Sequence, residues 1–272
     1  MMGDSYTILG SCNGLLCLCD SLQRYVKLWN PSIGLTSKTM LSTGISHHEK
    51  ITEWGFGYDH MNDKYKLLLV MKDRDHETKI VTKIYTFGSN SCRVIQNFQL
   101  RPEWCLGKFV NGTLNWLSMR CNQWVILSFD LGTETWGEVL LPNGDTESIC
   151  IPVLDVLRDC LCVAFFDPKT LQWIVWLMKD FGVQDSWTIL TMIPQDINDV
   201  TSYLIRPCLR PDFLCISEDG VVMFRPNRSK VVLFNSNNGR WDYPRISSMY
   251  GWHRIDAIYG WHIYYESLVS PP

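Results

Sequence analysis

The stretch that most constrains this chain is residues 126–142, ILSFDLGTETWGEVLLP, because much of the sequence repeats its plan. Val125, Leu127 and Phe129 alternate with Ile126 and Ser128, the period of two that a strand with two distinct faces requires. Asp130 ends that strand, and residues 131–134 have turn composition. Gly132 can take a positive φ there, and the Asp130 carboxylate can accept hydrogen bonds from turn backbone or a threonine hydroxyl. Trp136 then opens a second arm that closes at Leu140-Leu141-Pro142.

The same order of apolar strand, polar turn and tryptophan or apolar arm recurs at 26–35, 82–95, 173–190 and 230–244. The corresponding turns, at Asn30, Gly88, Asp130, Lys179 and Asn235, are separated by 58, 42, 49 and 56 residues. Recurrence at roughly 40–50 residues, each unit made of several short strands, is the mark of propeller blades. The expectation is an all-β fold, a β-propeller of about five to six irregular blades. Another all-β sandwich or barrel, with similar hairpins arising by chance, is the alternative. Asn30, Asp130, Gly132, Trp136, Trp187 and Trp241 are the expected structural positions of the repeat.

Other hairpins are legible by turn chemistry. Asn13-Gly14 precedes the run 15–19 and suits a type I′ turn, although its upstream arm looks very short. Asn111-Gly112 is flanked by apolar arms, Arg158-Asp159 breaks two apolar runs, and turns are expected at 218–220 and Asn238-Gly239. Residues 261–269 are strand-like and are expected to pair near the N-terminus. No Pro- or Ser-rich linker interrupts the sequence, so residues 1–272 are read as a single domain.

Hydrophobic residues at 46% and charged residues at 19% indicate a folded globular protein, and twelve tryptophans suit sheet-on-sheet packing. With 25 basic and 28 acidic residues and no basic run, binding to nucleic acid or an anionic membrane has no electrostatic footing. The apolar runs are far too short for a membrane span, and the opening residues lack the features of a secretory leader. Eleven cysteines, an odd number with no Cys-x-x-Cys pair, are therefore expected to be reduced, in cytoplasm or nucleus. Cys17 and Cys19, like Cys160 and Cys162, share a strand face, where a thiol packs as a small hydrophobe. The sequons at Asn111 and Asn227 then carry no glycan.

Little points to catalysis. The six histidines have no zinc-ligand spacing, and there is no Gly-x-Ser-x-Gly elbow, P-loop or dinucleotide fingerprint. No catalytic residue, metal or cofactor is assigned. Residues 128–136 come close to the Asp-box of sialidases, which is itself a fold-stabilising turn. A propeller glycosidase acting through dispersed carboxylates is the enzymatic alternative.

Seven stretches in order carry a family resemblance: GSCNGLLCL at 10–18, LWNPSIG at 28–34, GFGYDHMNDKYKLLLV at 55–70, FVNGTLNWL at 109–117, the hairpin at 126–142, WLMKDFGVQDSWT at 176–188 and YYESLVSP at 264–271. Together they resemble the plant F-box-associated domain over nearly the whole chain. The resemblance implies a kelch-like propeller that binds the target protein of an SCF-type ubiquitin ligase, while an F-box docks on the Skp-type adaptor. No F-box segment is found in residues 1–272. The chain is therefore expected to bind its target and to reach the adaptor only if an F-box is supplied. A stand-alone scaffold or truncated non-ligase relative is the alternative.

A recognition module of this kind binds through loops on a rigid β scaffold. The candidate loops are 72–79, 119–124 and 193–202, and Arg74, His76, Arg120 and Trp124 are the candidate partner-binding residues.

Overall fold

The computed structural model describes residues 6–38, 41–75, 80–89, 91–97, 100, 102, 106–142, 151–194, 212–225, 231–244 and 264–272. Among the described residues the only helix is a single 3-10 turn, Gln184–Ser186. The strands among the described residues fall into five antiparallel sheets, the blades of a five-bladed β-propeller arrangement.

The first sheet contains β1 (Tyr6–Cys12), β2 (Leu15–Asp20), β3 (Tyr25–Asn30), β4 (Leu35–Thr36) and β5 (Leu41–Ser42). Its outer strand is broken in two. β4 pairs with Trp29 and Asn30, and β5 with Tyr25 and Val26 of the same β3. The second sheet contains β6 (Glu49–Asp59), β7 (Lys64–Asp73), β8 (Ile80–Thr86) and β9 (Ser91–Ile95). The third contains β10 (Lys108–Val110), β11 (Thr113–Arg120), β12 (Gln123–Asp130) and β13 (Thr135–Val139). The fourth contains β14 (Val153–Leu157), β15 (Cys160–Asp167), β16 (Gln172–Met178) and β17 (Trp187–Pro194). The fifth contains β18 (Asp212–Ile216), β19 (Val221–Arg225), β20 (Val232–Asn235) and β21 (Arg240–Asp242).

The five turns that set the sequence period, at Asn30, Gly88, Asp130, Lys179 and Asn235, each join the third strand of a sheet to its fourth. Four of the tight hairpins are two-residue turns with both residues left-handed, as type I′ geometry demands. They are Asn13-Gly14 (φ 49° and 72°), Asn111-Gly112 (48° and 76°), Cys121-Asn122 (47° and 66°) and Arg158-Asp159 (52° and 56°). The arm before Asn13 is not short, since β1 has seven residues. The turn near Asn238-Gly239 is a four-residue one at 236–239, closed by a bond from the Gly239 N–H to the Asn235 carbonyl (2.8 Å).

The turns after Asp59, Asp130, Asp167 and Asn235 share one chemistry. An Asp or Asn ends the incoming strand, its side-chain oxygen accepts hydrogen bonds from backbone N–H groups of the turn, and the fourth turn residue is left-handed. Asp130 Oδ1 accepts from Gly132 and Thr133 at 2.8 Å each. Asp59 Oδ1 accepts from Met61 and Asn62, and Asn235 Oδ1 from Asn237 and Asn238. Asp167 accepts from the Lys169 N–H and the Thr170 hydroxyl. The left-handed residues are Asp63, Glu134, Leu171 and Gly239. Gly132 therefore does not supply the positive φ expected of it, which falls on Glu134 (φ 55°). A Cβ at position 132 would lie 2.6 Å from Sδ of the exposed Met61 side chain, which would have to move aside.

The chain divides into two compact units. One comprises Met1–Ser118, Leu127–Gly137 and Ile255–Pro272; the other comprises Met119–Ile126 and Glu138–Arg254. In the first unit, Leu9, Cys12, Leu15, Cys17, Cys19, Val26 and Leu28 of sheet one pack with Trp54, Phe56, Leu67 and Tyr85 of sheet two. Cys17 and Cys19 do lie in this core, and the Leu16 and Leu18 face of β2 is buried as well. The glycines of β6 make close approach possible. A Cβ on Gly57 would lie 2.3 Å from Phe109 and 2.8 Å from Leu131, and one on Gly55 would lie 2.9 Å from Leu114. Alternating Gly55 and Gly57 thus clear one face of β6 for the third sheet, while Phe56 on the other face sits against Gly10 of β1. In the second unit, Cys162, Phe166, Trp173 and Val175 of sheet four pack with Phe213, Val222, Phe224 and Phe234 of sheet five.

The tryptophans expected to anchor the repeat are buried to different depths. Trp187 is buried and donates its Nε1–H to the Leu140 carbonyl (3.0 Å). Trp136 is half-buried against Phe129 (4.7 Å between centroids) and Trp116 (5.9 Å), with Nε1–H donated to the Gln96 carbonyl. Trp241 is half-buried between Phe234 and Phe224.

Residues 264–272 form no strand. They lie on the first sheet through side-chain bonds instead of the expected ladder; residues 261–263 lie outside the described part.

Candidate functional site

A meander places its turns alternately at two ends. Turns joining strands one to two and three to four share one end of a sheet, and the turn joining strands two to three lies at the other. In the first unit the former end is filled by internal bonds. Lys66 of β7 is buried and gives its ammonium to Asp59 Oδ2 (2.7 Å), Glu134 Oε1 (2.7 Å) and the Leu131 carbonyl (2.6 Å). Arg93 of β9 pairs with the other Glu134 oxygen. Four charges thereby tie the second sheet to the Asp130 turn of the third.

Burial alone would raise the Asp59 carboxyl, but hydrogen bonds from Lys66 and Asn62, with the charge of Lys66, outweigh it and hold Asp59 below its ordinary value. A carboxylate so occupied is a poor proton acceptor for chemistry. This cluster was missed in the sequence. Its only local signal is a lysine inside the otherwise apolar run 65–71, and a lysine on a strand buried on both faces must find partners.

Of the candidate partner-binding residues, Arg74, Arg120 and Trp124 lie at the two-to-three end of their sheets. Arg74 follows β7 and is exposed; its N–H donates to the His48 carbonyl (2.6 Å), beside the His48 Nδ1 to Asp75 Oδ2 contact of 3.1 Å. Its companion His76 lies outside the described residues. Residues 119–124 are not the expected loop, because β11 runs through Arg120 and β12 starts at Gln123, leaving only the turn Cys121-Asn122. Arg120 is exposed and pairs with Glu138 Oε2 of β13 (2.6 Å), and Trp124 is half-buried on β12. Arg74 and Arg120 belong to different compact units. In the third candidate loop, Ile193 is a buried residue of β17, and 195–202 lie outside the described residues.

Among the described residues no group of three or more His, Cys, Asp or Glu side chains is arranged to hold a metal ion. No helix among them is long and apolar enough to cross a membrane. The eight described cysteines are unbridged; Cys12, Cys17, Cys19 and Cys162 are buried, whereas Cys92 and Cys121 are exposed.

Comparison with known proteins accords with this architecture. An F-box/kelch-repeat protein of Arabidopsis thaliana is 33% identical over 274 residues, covering 98% of this chain and 70% of that protein. A second Arabidopsis thaliana F-box protein is 25% identical over 285 residues, covering 87% of this chain and 65% of its own length. The chain thus spans about two thirds of these relatives. The profile of the F-box associated beta propeller domain, a family of domains that is not an enzyme class, matches residues 4–270. With five meander sheets, the repeated Asx turns and relatives that are F-box proteins, the chain belongs to the F-box associated beta propeller domain family.

Proposed function

We propose that this chain is the target-recognition module of an SCF-type ubiquitin ligase receptor, working in cytoplasm or nucleus. The observation that carries the reading is the family match over residues 4–270 together with relatives that are F-box proteins. The geometry adds support. In the first unit, Lys66, Asp59 and Glu134 at one end of the sheets are spent on internal bonds, whereas Arg74, just past β7 at the other end, is exposed. Arg74, His76, Arg120 and Trp124 are the proposed contacts to the target protein, and arginine and tryptophan are the residue types enriched where binding energy concentrates. An F-box supplies the bond to the Skp-type adaptor.

The test is co-purification. Residues 1–272 should retain the target but not the adaptor, and fusing an F-box ahead of them should add stoichiometric adaptor binding. Arg74→Ala and Trp124→Ala should weaken target capture and leave adaptor binding of the fusion unchanged. Stoichiometric capture of the adaptor by residues 1–272 alone would overturn this division of labour. The proposal also takes residues 1–272 as one domain, so calorimetry should show a single transition whose van't Hoff and calorimetric enthalpies agree.

A further inference from the structure

We propose that residues 264–272 are a releasable strap whose latch is the side chain of Asn30. The strap crosses the end of the first sheet without joining any ladder among the described residues. Its bonds are made by side chains. Asn30, fully buried, donates Nδ2 to the carbonyls of Ser267 (2.9 Å) and Val269 (2.8 Å). Asn30 Oδ1 accepts from the Ser32 N–H (2.9 Å) and the Tyr264 hydroxyl (3.0 Å). Ser267 Oγ donates to the Asn13 carbonyl (3.0 Å), and Tyr264 Oη meets Ser32 Oγ. The strap lies so close to the Asn13-Gly14 turn that a Cβ on Gly14 would be 2.1 Å from Ser267 Oγ.

Two features make this a latch and not just another turn. The first is chemical. Asn30 occupies the position that Asp130 holds in the third sheet, where the turn asks only for an acceptor. At Asn30 the amide nitrogen has a second task, because both of its hydrogens are given to strap carbonyls. An aspartate would keep the turn acceptor, remove both donors and set a buried charge against two carbonyl oxygens. The second feature is energetic. No residue of the strap is buried, and its large apolar side chains face solvent, Tyr265 at 68% and Leu268 at 85% exposure. With few apolar contacts and a handful of polar ones, the strap opens as its own unit, below the free energy that opens the sheets. Opening it bares the Asn13 turn and the Asn30 amide while the ladders stay closed.

Limited proteolysis of residues 1–272 tests this, with chymotrypsin under native conditions and mass spectrometry to locate each cut. The bond after Tyr265 should be cut before any bond within the described strands. Asn30→Asp should speed that cut roughly tenfold or more, the effect of losing two hydrogen bonds, while near-ultraviolet circular dichroism stays native. Tyr264→Phe keeps the protease site, removes only the hydroxyl and should speed the same cut by a smaller factor; it decides the matter if Asn30→Asp does not fold. Asp130→Asn, the converse exchange in the third sheet, should leave the cut rate unchanged. An unchanged rate in both Asn30→Asp and Tyr264→Phe, or strap cutting only in step with cuts inside the strands, would overturn the proposal.

Discussion

The Lys66 ammonium of β7 lies 2.7 Å from Glu134 Oε1, so a lysine of the second sheet fastens the turn that closes the third. Both side chains are almost wholly shielded from water, and Asp59 shares the same ammonium at 2.7 Å. Removing the cation would leave carboxylates buried without their main partner. Lys66→Met should therefore destabilise the protein by about 3–5 kcal/mol, read as a fall in the urea midpoint. A midpoint within error of the parent would show that the cluster relaxes into solvent.

The same cluster sets a response to acid. Asp59 is held below its ordinary value by its bonds, so its contribution to stability is complete above about pH 4. That contribution is lost as pH falls through the depressed folded value. In Lys66→Met the balance reverses, because burial then dominates and favours the protonated acid. The stability gap between parent and variant should narrow from pH 7 to pH 3, and denaturation curves at the two values measure it. A gap constant with pH would remove Asp59 as the linked group.

Asp130 organises its turn as an acceptor alone. Asp130→Ala should cost about 1 kcal/mol, the worth of such bonds, while Asp130→Asn should be close to neutral, since Asn235 does the same task in the fifth sheet. Thermal melts of the two variants give the comparison. Equal losses in both would mean that charge, and not the turn bonds, matters there.

Leu171 closes the Asp167 turn with φ 56° and is 52% exposed. A branched side chain gains little from that exposure and carries the steric penalty of the left-handed region. Leu171→Gly should stabilise by roughly 0.5–1 kcal/mol once the glycine's larger unfolded-state entropy is subtracted. A lower melting temperature would show that the Leu171 side chain contributes packing that offsets its backbone cost.

Thiol chemistry should follow burial. Desolvation pushes Cys12 and Cys19 up to about 12, with Asp20 adding to the effect at Cys19, and drives Cys17 well above its ordinary value. Among the described cysteines, maleimide near neutral pH should modify Cys92 and Cys121 first, and Cys12, Cys17, Cys19 and Cys162 only after unfolding. Early labelling of Cys17 would contradict the packing of the first sheet.

How much of this could be read from residues alone depended on the range of the interaction. Asn13-Gly14 and Asn111-Gly112 announced themselves because two adjacent residues suffice to make a type I′ turn. Cys121-Asn122 adopts the same geometry without the usual composition, so a tight hairpin was mistaken for a loop. Gly132 reads as a turn residue, but the left-handed residue of that turn is Glu134, and only the backbone tells the two apart. Lys66 and Glu134, sixty-eight residues apart, meet only in three dimensions, and no local pattern could have paired them. Arg120 was visible as a surface arginine, whereas its engagement with Glu138 was not.

The short turns between successive strands have a kinetic meaning. In sheets two to five every ladder among the described strands joins strands that follow one another in the chain. A hairpin of this kind closes in ~1–10 μs, whereas a ribosome adds ~5–20 residues each second. Each meander can thus pair its own strands long before the next has been synthesised. What it cannot do is cover its faces. The cleared face of β6, where Gly55 and Gly57 wait for Leu114 and Phe109, stays wet until the third sheet emerges. Slowing elongation between residues 59 and 109 would lengthen the time for which this face stays uncovered.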